Sequence, residues 1–532
     1  MNAAHSVDVE RILQLKTVRD APSRAHFLTA IRELGRDGGE FTRERLDPMI
    51  AVEEHFQALL LYDQLDFLRQ GSAVSEAERD FALNVQRICL EAANGFQRFL
   101  RHRDQWTRTR EELELMYRVA GLALNAIHCF VKWGYFLNEP GRSAPWKQVH
   151  ALYLLAESEG FAQVPFVLHA SQPSFKPSVQ SLYLRTLILD LINSGSLSKV
   201  QIEIADGWFS SWCSDYALES EFSSRRHLFY VDLASESGMH LMEKDSHGDT
   251  IRYVRTEGLK AQIEEVQAGL RHGRLYAGYG AGAVFPVEEH VALLTIIEKL
   301  YRSILAGSDN RIEERTHFED REVDVTVGIE RVLRKMREAP AVPAAGAAPA
   351  VAAAETIEIS PAGLSLVPAD PAAVAPPEAS MDPDVGRWRV FDLSSRGFGL
   401  LVDRAEAEQV QLNGLIALRN QHTGGWIVGN VVRKLANRVR GEILAGVEVL
   451  AYRPIRFELA RADGGAKVET LYLPGQDPNG KLDALLLRVG DFTSEHSFSL
   501  PAGDSTFRVR LNRILAKGAD WIKVRFEIES KS

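Results

Sequence analysis

The spacing of apolar residues changes along this chain from a helical step to a strand step, and that change limits what it can fold into. Glu76–Arg103 and Arg110–Leu137 are long, rich in leucine and alanine, and apolar at every third or fourth position. Trp146–Glu159 and Ser178–Ser194 continue the pattern, with breaks at Gly141, Gly160 and Ser174. Helices joined by short connections make antiparallel hairpins or a solenoid. The repeat signature of about 34 residues that marks one solenoid family is not present. Residues 1–198 are therefore expected to form an α-helical domain.

From about Lys199 the texture mixes. Gln201–Ala205 and His227–Leu233 read as short strands, Tyr253–Gly273 as a helix, and Val287–Leu305 as an amphipathic helix. Residues 199–307 are expected as a mixed α/β continuation of the N-terminal region. Gly278-Tyr279-Gly280-Ala281-Gly282 lacks a P-loop lysine and a preceding strand, so it reads as a turn. His240 and His247 flank Glu243 and Asp245 at a spacing that fits no metal pattern.

Arg321–Gly328 alternates polar and apolar residues, the mark of a half-buried strand. Ala339–Asp384 is then dominated by Ala and Pro and cannot bury a core. Within it, Glu358–Leu364 could add a short strand to a sheet edge. Beyond it, short strands follow closely at Trp388–Phe391, Phe398–Val402, Leu415–Arg419, Gly425–Arg433 and Ala445–Leu450. That spacing indicates a small antiparallel barrel over residues 308–455, interrupted by an insertion at 339–384. A second strand set, Val468–Leu473, Ala484–Val489, Phe507–Leu511 and Trp521–Ile528, points to a further all-β module over residues 456–532. The fold class expected is multidomain α + β: a helical N-terminal region, an antiparallel β-barrel and a C-terminal β module.

Composition narrows the function. The net charge of -10 argues against nucleic acid as a partner, because phosphate neutralisation needs a basic face. The three cysteines, Cys89, Cys129 and Cys213, have neither C-x-x-C spacing nor a disulfide-framework pattern. Asp8, Glu10, Arg11 and Lys16 interrupt any secretion signal. Val119–Leu137, the most apolar stretch, holds Asn125, His128 and Lys132 and reads as a buried helix. A cytoplasmic protein without a membrane span is expected. No nucleophile elbow, P-loop, H-E-x-x-H motif or Cys/His pair stands in a catalytic context, so no enzyme and no cofactor are expected.

The candidate site lies at Asp392-Leu393-Ser394-Ser395-Arg396-Gly397, a polar turn between two apolar runs. Asp and Ser can bond their own backbone in such a turn, and glycine permits close backbone approach. Arg311 and Arg315 lie upstream, in Asn310-Arg311-Ile312-Glu313-Glu314-Arg315. Together, residues 308–455 resemble a PilZ domain, the bacterial receptor module for cyclic di-GMP. Its pattern is R-x-x-x-R before the first strand and then [D/N]-x-S-x-x-G between strands. Here Arg315 and Asp392 are 77 residues apart, far more than is usual in the family. Removing the Ala/Pro stretch restores the usual length, and each doubling of a loop costs only about 0.6 kcal/mol in closure entropy.

The resemblance implies a ligand-binding set of Arg311, Arg315, Asp392, Ser394 and Gly397 for cyclic di-GMP. It implies a non-enzymatic effector that signals through its helical region to a protein partner. The alternative is a degenerate PilZ-like scaffold that binds no nucleotide. Diguanylate cyclase and phosphodiesterase signatures (G-G-D-E-F, E-A-L) are absent.

Overall fold

In a computed structural model, the chain forms two units, Met1–Ser308 and Asp309–Ser532. The structure describes residues 8–37, 39–69, 74–107, 109–138, 145–193, 195–224, 226–242, 247–276, 282–305, 316–338, 382, 384–394, 397–403, 405–419, 426–437, 442–452, 454–461, 467–474, 483–492, 497–502 and 505–531.

The first unit opens with helices α1 (Val9–Leu13), α2 (Ala21–Gly35), α3 (Arg43–Arg69), α4 (Glu76–Arg101), α5 (Arg110–Phe136), α6 (Trp146–Ser158), α7 (Val179–Ile192) and α8 (Lys199–Trp212). Several starts are set locally. Ser75 and Thr109 cap α4 and α5 in reciprocal capping boxes with Glu78 and Glu112, satisfying amide groups that a helix end leaves unpaired. Phe81 meets Trp133, Gln86 bonds the Phe130 carbonyl and Cys89 meets Cys129. Numbers rise on α4 as they fall on α5, so the two make an antiparallel hairpin.

One expectation fails here: Gln201–Ala205 is not a strand but the start of α8. Ser198 Oγ accepts from the Gln201 amide at 3.2 Å, and Gln201 Oε1 accepts from the Ser198 amide at 3.1 Å. The alternation of Val200, Ile202 and Ile204 misleads because α8 is buried nearly all round, so polar and apolar faces do not separate. The sheet that follows contains β1 (Ala217–Glu219), β2 (His227–Asp232), β3 (His240–Leu241) and β4 (Ile251–Arg255), in the order β1-β4-β2-β3. Tyr253 belongs to β4, and the helix expected from it begins at Leu259 as α9 (Leu259–Arg271). Helix α10 (Val287–Leu305) completes the unit. One hydrophobic core runs from Ile12 to Ile297. Among the described residues no helix is long and apolar enough to cross a membrane.

The second unit holds two closed barrels. The first consists of β5 (Thr316–Val327), β6 (Gly386–Ser394), β7 (Gly397–Asp403), β8 (Leu415–Arg419), β9 (Trp426–Asn437) and β10 (Glu442–Ala451), in the order β10-β7-β6-β5-β8-β9. Helix α11 (Ile329–Glu338) follows β5. The second barrel contains β11 (Ile455–Arg461), β12 (Val468–Leu473), β13 (Ala484–Arg488), β14 (Ser497–Ala502), β15 (Ser505–Lys517) and β16 (Trp521–Lys531), in the order β11-β12-β13-β16-β15-β14. Closure removes the exposed strand edges that invite pairing with other chains.

Each barrel has its own interior core, and a third core lies between them. That shared core packs Ile329, Val332 and Leu333 of α11 against Trp426 and Val428 of the first barrel and Leu471, Leu486 and Trp521 of the second. Polar bonds fix the same seam. Gly328 turns the chain at φ +88°, and Asp520 Oδ2 accepts from the Ile329 amide at 2.6 Å, capping α11. Trp521 Nε1 donates to the Asn413 carbonyl at 3.0 Å, and Arg488 holds Glu330 through two bonds, at 2.5 and 3.0 Å. Asp520→Ala strips the start of α11 of its acceptor. Hydrogen-exchange protection at Ile329 is predicted to fall by about 1–3 kcal/mol, while protection in α4 and α5 stays unchanged.

Candidate functional site

The D-x-S-x-x-G stretch forms the β6–β7 hairpin. Asp392 pairs with Gly399, Leu393 with Phe398 and Ser394 with Gly397. A register shift between Val390 and Asp392 leaves Phe391 as the extra residue of a bulge. The bulge breaks the in–out alternation of β6. Phe391 is turned to solvent, while Asp392 is 6% exposed and Leu393 joins the barrel core.

Both glycines are required by close approach. A Cβ on Gly397 would overlap the backbone carbonyl oxygen of Val447 on β10. A Cβ on Gly399 would stand 2.5 Å from Asp392 Oδ1. Gly399 therefore makes the space in which the buried carboxyl sits, a role the motif alone does not suggest. Gly397→Ala has to push β7 off β10. We expect about 1–3 kcal/mol of lost stability in urea unfolding of the full chain, and a similar loss for Gly399→Ala.

On its other side, β6 pairs with β5: Leu393 with Thr316 and Asp392 with His317. The described start of β5 thus lies beside the motif strand. Arg311 and Arg315 fall outside the described residues, as do Ser395 and Arg396. For Ser394 the backbone is described, and it closes the hairpin opposite Gly397. Arg387 and Arg389, the nearest arginines on β6, face carboxylates. Arg389 pairs with Glu442, and Arg387 Nε lies 3.7 Å from Asp324.

A second concentration of charge lies in the first unit, and sequence reading missed it. Asp206 on α8, 1% exposed, accepts from both Nε (2.6 Å) and Nη2 (2.8 Å) of Arg185, from Lys132 Nζ at 2.8 Å and from His128 Nε2 at 2.8 Å. Burial alone would raise its carboxyl; Arg185, Lys132 and His128 hold it well below the usual range. Lys132 also donates to Glu203 at 3.0 Å. Nearby, Arg118 pairs with Glu54, and the Ala170 amide donates to Glu54 at 2.7 Å. The available signal was polar residues at helical spacing, His128 and Lys132, inside the most apolar stretch of the chain. Their partners, Arg185 on α7 and Glu203 and Asp206 on α8, lie far away in sequence. Among the described residues no cluster of His, Cys, Asp and Glu could hold a metal ion.

Burial raises Glu53 to about 8 and lowers His128 and His169 to about 4. The signs oppose one another. Folded Glu53 keeps a proton that an unfolded glutamate releases above about 4.5, so its effect destabilises the fold as pH rises towards 8. The two histidines refuse a proton that unfolded histidine binds below about 6.5, so their effect stabilises the fold as pH rises through that lower window. Above pH 6.5 only the Glu53 slope of these three remains. The melting temperature of the full chain should fall between about pH 6.5 and 8, and Glu53→Gln should flatten that fall.

Residues 12–222 match a family model described as the N-terminal domain of the cyclic-di-GMP receptor FimW. The matched segment contains the Asp206 cluster and neither barrel. No curated protein and no solved structure matches the chain.

Proposed function

We propose that this protein is a non-enzymatic effector that binds cyclic di-GMP on its first barrel and signals through its helical N-terminal region to a protein partner. The observation that carries the reading is the register of β5 on the motif hairpin. Thr316 pairs with Leu393, the neighbour of Asp392, across an insertion that separates them widely in sequence. Arg315 immediately precedes Thr316 in the sequence. The strand that follows the R-x-x-x-R segment in sequence is thus the partner of the motif strand, which supports reading the two motifs as one site. The FimW N-terminal-domain match over residues 12–222 supports the same ligand from a separate part of the chain.

The chemistry suits the residue types. A guanidinium can hold guanine O6 and N7 bidentately, pair with a phosphate or stack on a base. Asp392 can accept from guanine N1–H and N2–H₂. The hydroxyl of Ser394 offers a further donor and acceptor. The segment carrying Arg311 and Arg315 would close over the ligand, and ligand energy spent on ordering it would shift the population of the signalling state. No step of this mechanism makes or breaks a covalent bond.

Calorimetric titration of the full-length protein tests it, with GMP and cyclic di-AMP as controls. Saturable binding of cyclic di-GMP is expected, weakened at least about tenfold, or 1.4 kcal/mol, in each of Arg311→Ala, Arg315→Ala and Asp392→Asn. Absence of both heat and thermal shift at saturating cyclic di-GMP would overturn the proposal in favour of a PilZ-like scaffold that works through protein contacts alone.

A further inference from the structure

A cavity of about 60 Å³ enters the first unit between α3, α5, α7, α8 and the segment joining α6 to α7. A water-sized group needs roughly 10–15 Å³ of such space, so the cavity has room for about four to six of them. Exposed Ser171 and half-buried Gln172 line it, together with His128, Lys132, Arg185 and Glu203 of the ionic cluster.

Two features distinguish it from a packing flaw. His169 lines the cavity and is only 3% exposed, yet neither of its ring nitrogens has a hydrogen-bond partner in the protein. Its Nδ1 lies 3.9 Å from both Glu53 and Glu54, too far for a hydrogen bond. Burying a polar ring unpartnered is costly, and a ligand that bonds it recovers that cost. Moreover, the charged lining is balanced, with Lys132 and Arg185 set against Glu54 and Glu203. The next layer is balanced too: Arg118 pairs with Glu54, and Asp206 takes bonds from Arg185 and Lys132. A net anion or cation entering this site would upset a neutral set in a low-dielectric interior.

We propose that this cavity is a binding site for a small, net-neutral zwitterion of the amino-acid class. Its carboxylate would face the Lys132 and Arg185 side, its ammonium would face the carboxylates, and His169 would supply a hydrogen bond. Glycine, with five heavy atoms, falls within the range of about four to six groups, and serine, with seven, lies just above it. The site would give the helical region an input separate from the nucleotide, and the inference does not rest on the barrel reading.

The test is titration of the full-length protein with glycine and L-serine, with acetate and methylammonium as the separate half-charges. One saturable site per chain is expected for glycine or serine. His169→Leu and Ser171→Trp should each weaken it at least tenfold, and His169→Gln should largely preserve it. Cyclic di-GMP titration of the same variants should be unchanged, which separates this site from the barrel. Circular dichroism melts check folding, and if His169→Leu does not fold, Ser171→Trp at an exposed lining position decides. Absence of saturable binding, binding of acetate or methylammonium as tight as that of glycine, or indifference to Ser171→Trp would overturn the proposal.

Discussion

The pairing of β5 with β6 on one side and β8 on the other closes the first barrel, and much of the second unit depends on it. Without β5, the strands β6 and β8 would present open edges. Gly328 and α11 continue directly from β5, so the core between the two barrels depends on the same strand. Val325 and Thr326 lie inside the structure rather than on its rim, and the turn at Gly328 is held by a bond from its amide to the Leu415 carbonyl. The motif hairpin is likewise placed by its neighbours. Asp392 sits in the space that Gly399 leaves, and Gly397 lets β10 pass. These contacts hold the buried Asp392 carboxyl at a fixed position beside the turn.

The first unit solves a different problem. Three cationic or potentially cationic side chains converge on one buried carboxylate, Asp206. A buried charge is tolerated only when paired and hydrogen-bonded, and removing one partner of such a pair typically costs about 3–5 kcal/mol. The arrangement is thus expensive to break and ties α5, α7 and α8 to one another. Beside it, His169 and Glu53 are buried with less support, which is where a ligand or a proton has most leverage.

The helical and barrel textures were legible because most elements there have one wet face. Val287–Leu305 and His227–Leu233 show their periods clearly for that reason. Gln201–Ala205 was misread because α8 is surrounded by core, so Ile202 and Ile204 are buried whichever way the chain turns. Helix α11 escaped notice beside the Ala/Pro stretch, although Ile329, Val332, Leu333 and Met336 carry a helical step. In the candidate site, Asp392 and Gly397 stood out by motif. Gly399 did not, because its importance comes from the Asp392 carboxyl lying over it, a contact made only once the hairpin has its bulge. Of the Asp206 cluster only His128 and Lys132 stood out, as polar residues in an apolar stretch; their pairing was not legible because Arg185, Glu203 and Asp206 come from two other helices.

The most direct test of the account is hydrogen exchange across the full chain with and without saturating cyclic di-GMP. New protection is predicted in peptides spanning residues 308–320 and 388–400, the stretches of sequence that carry the R-x-x-x-R segment's end and the D-x-S-x-x-G turn. Binding accompanied by protection only within residues 12–222 would contradict it and move the receptor site to the helical unit.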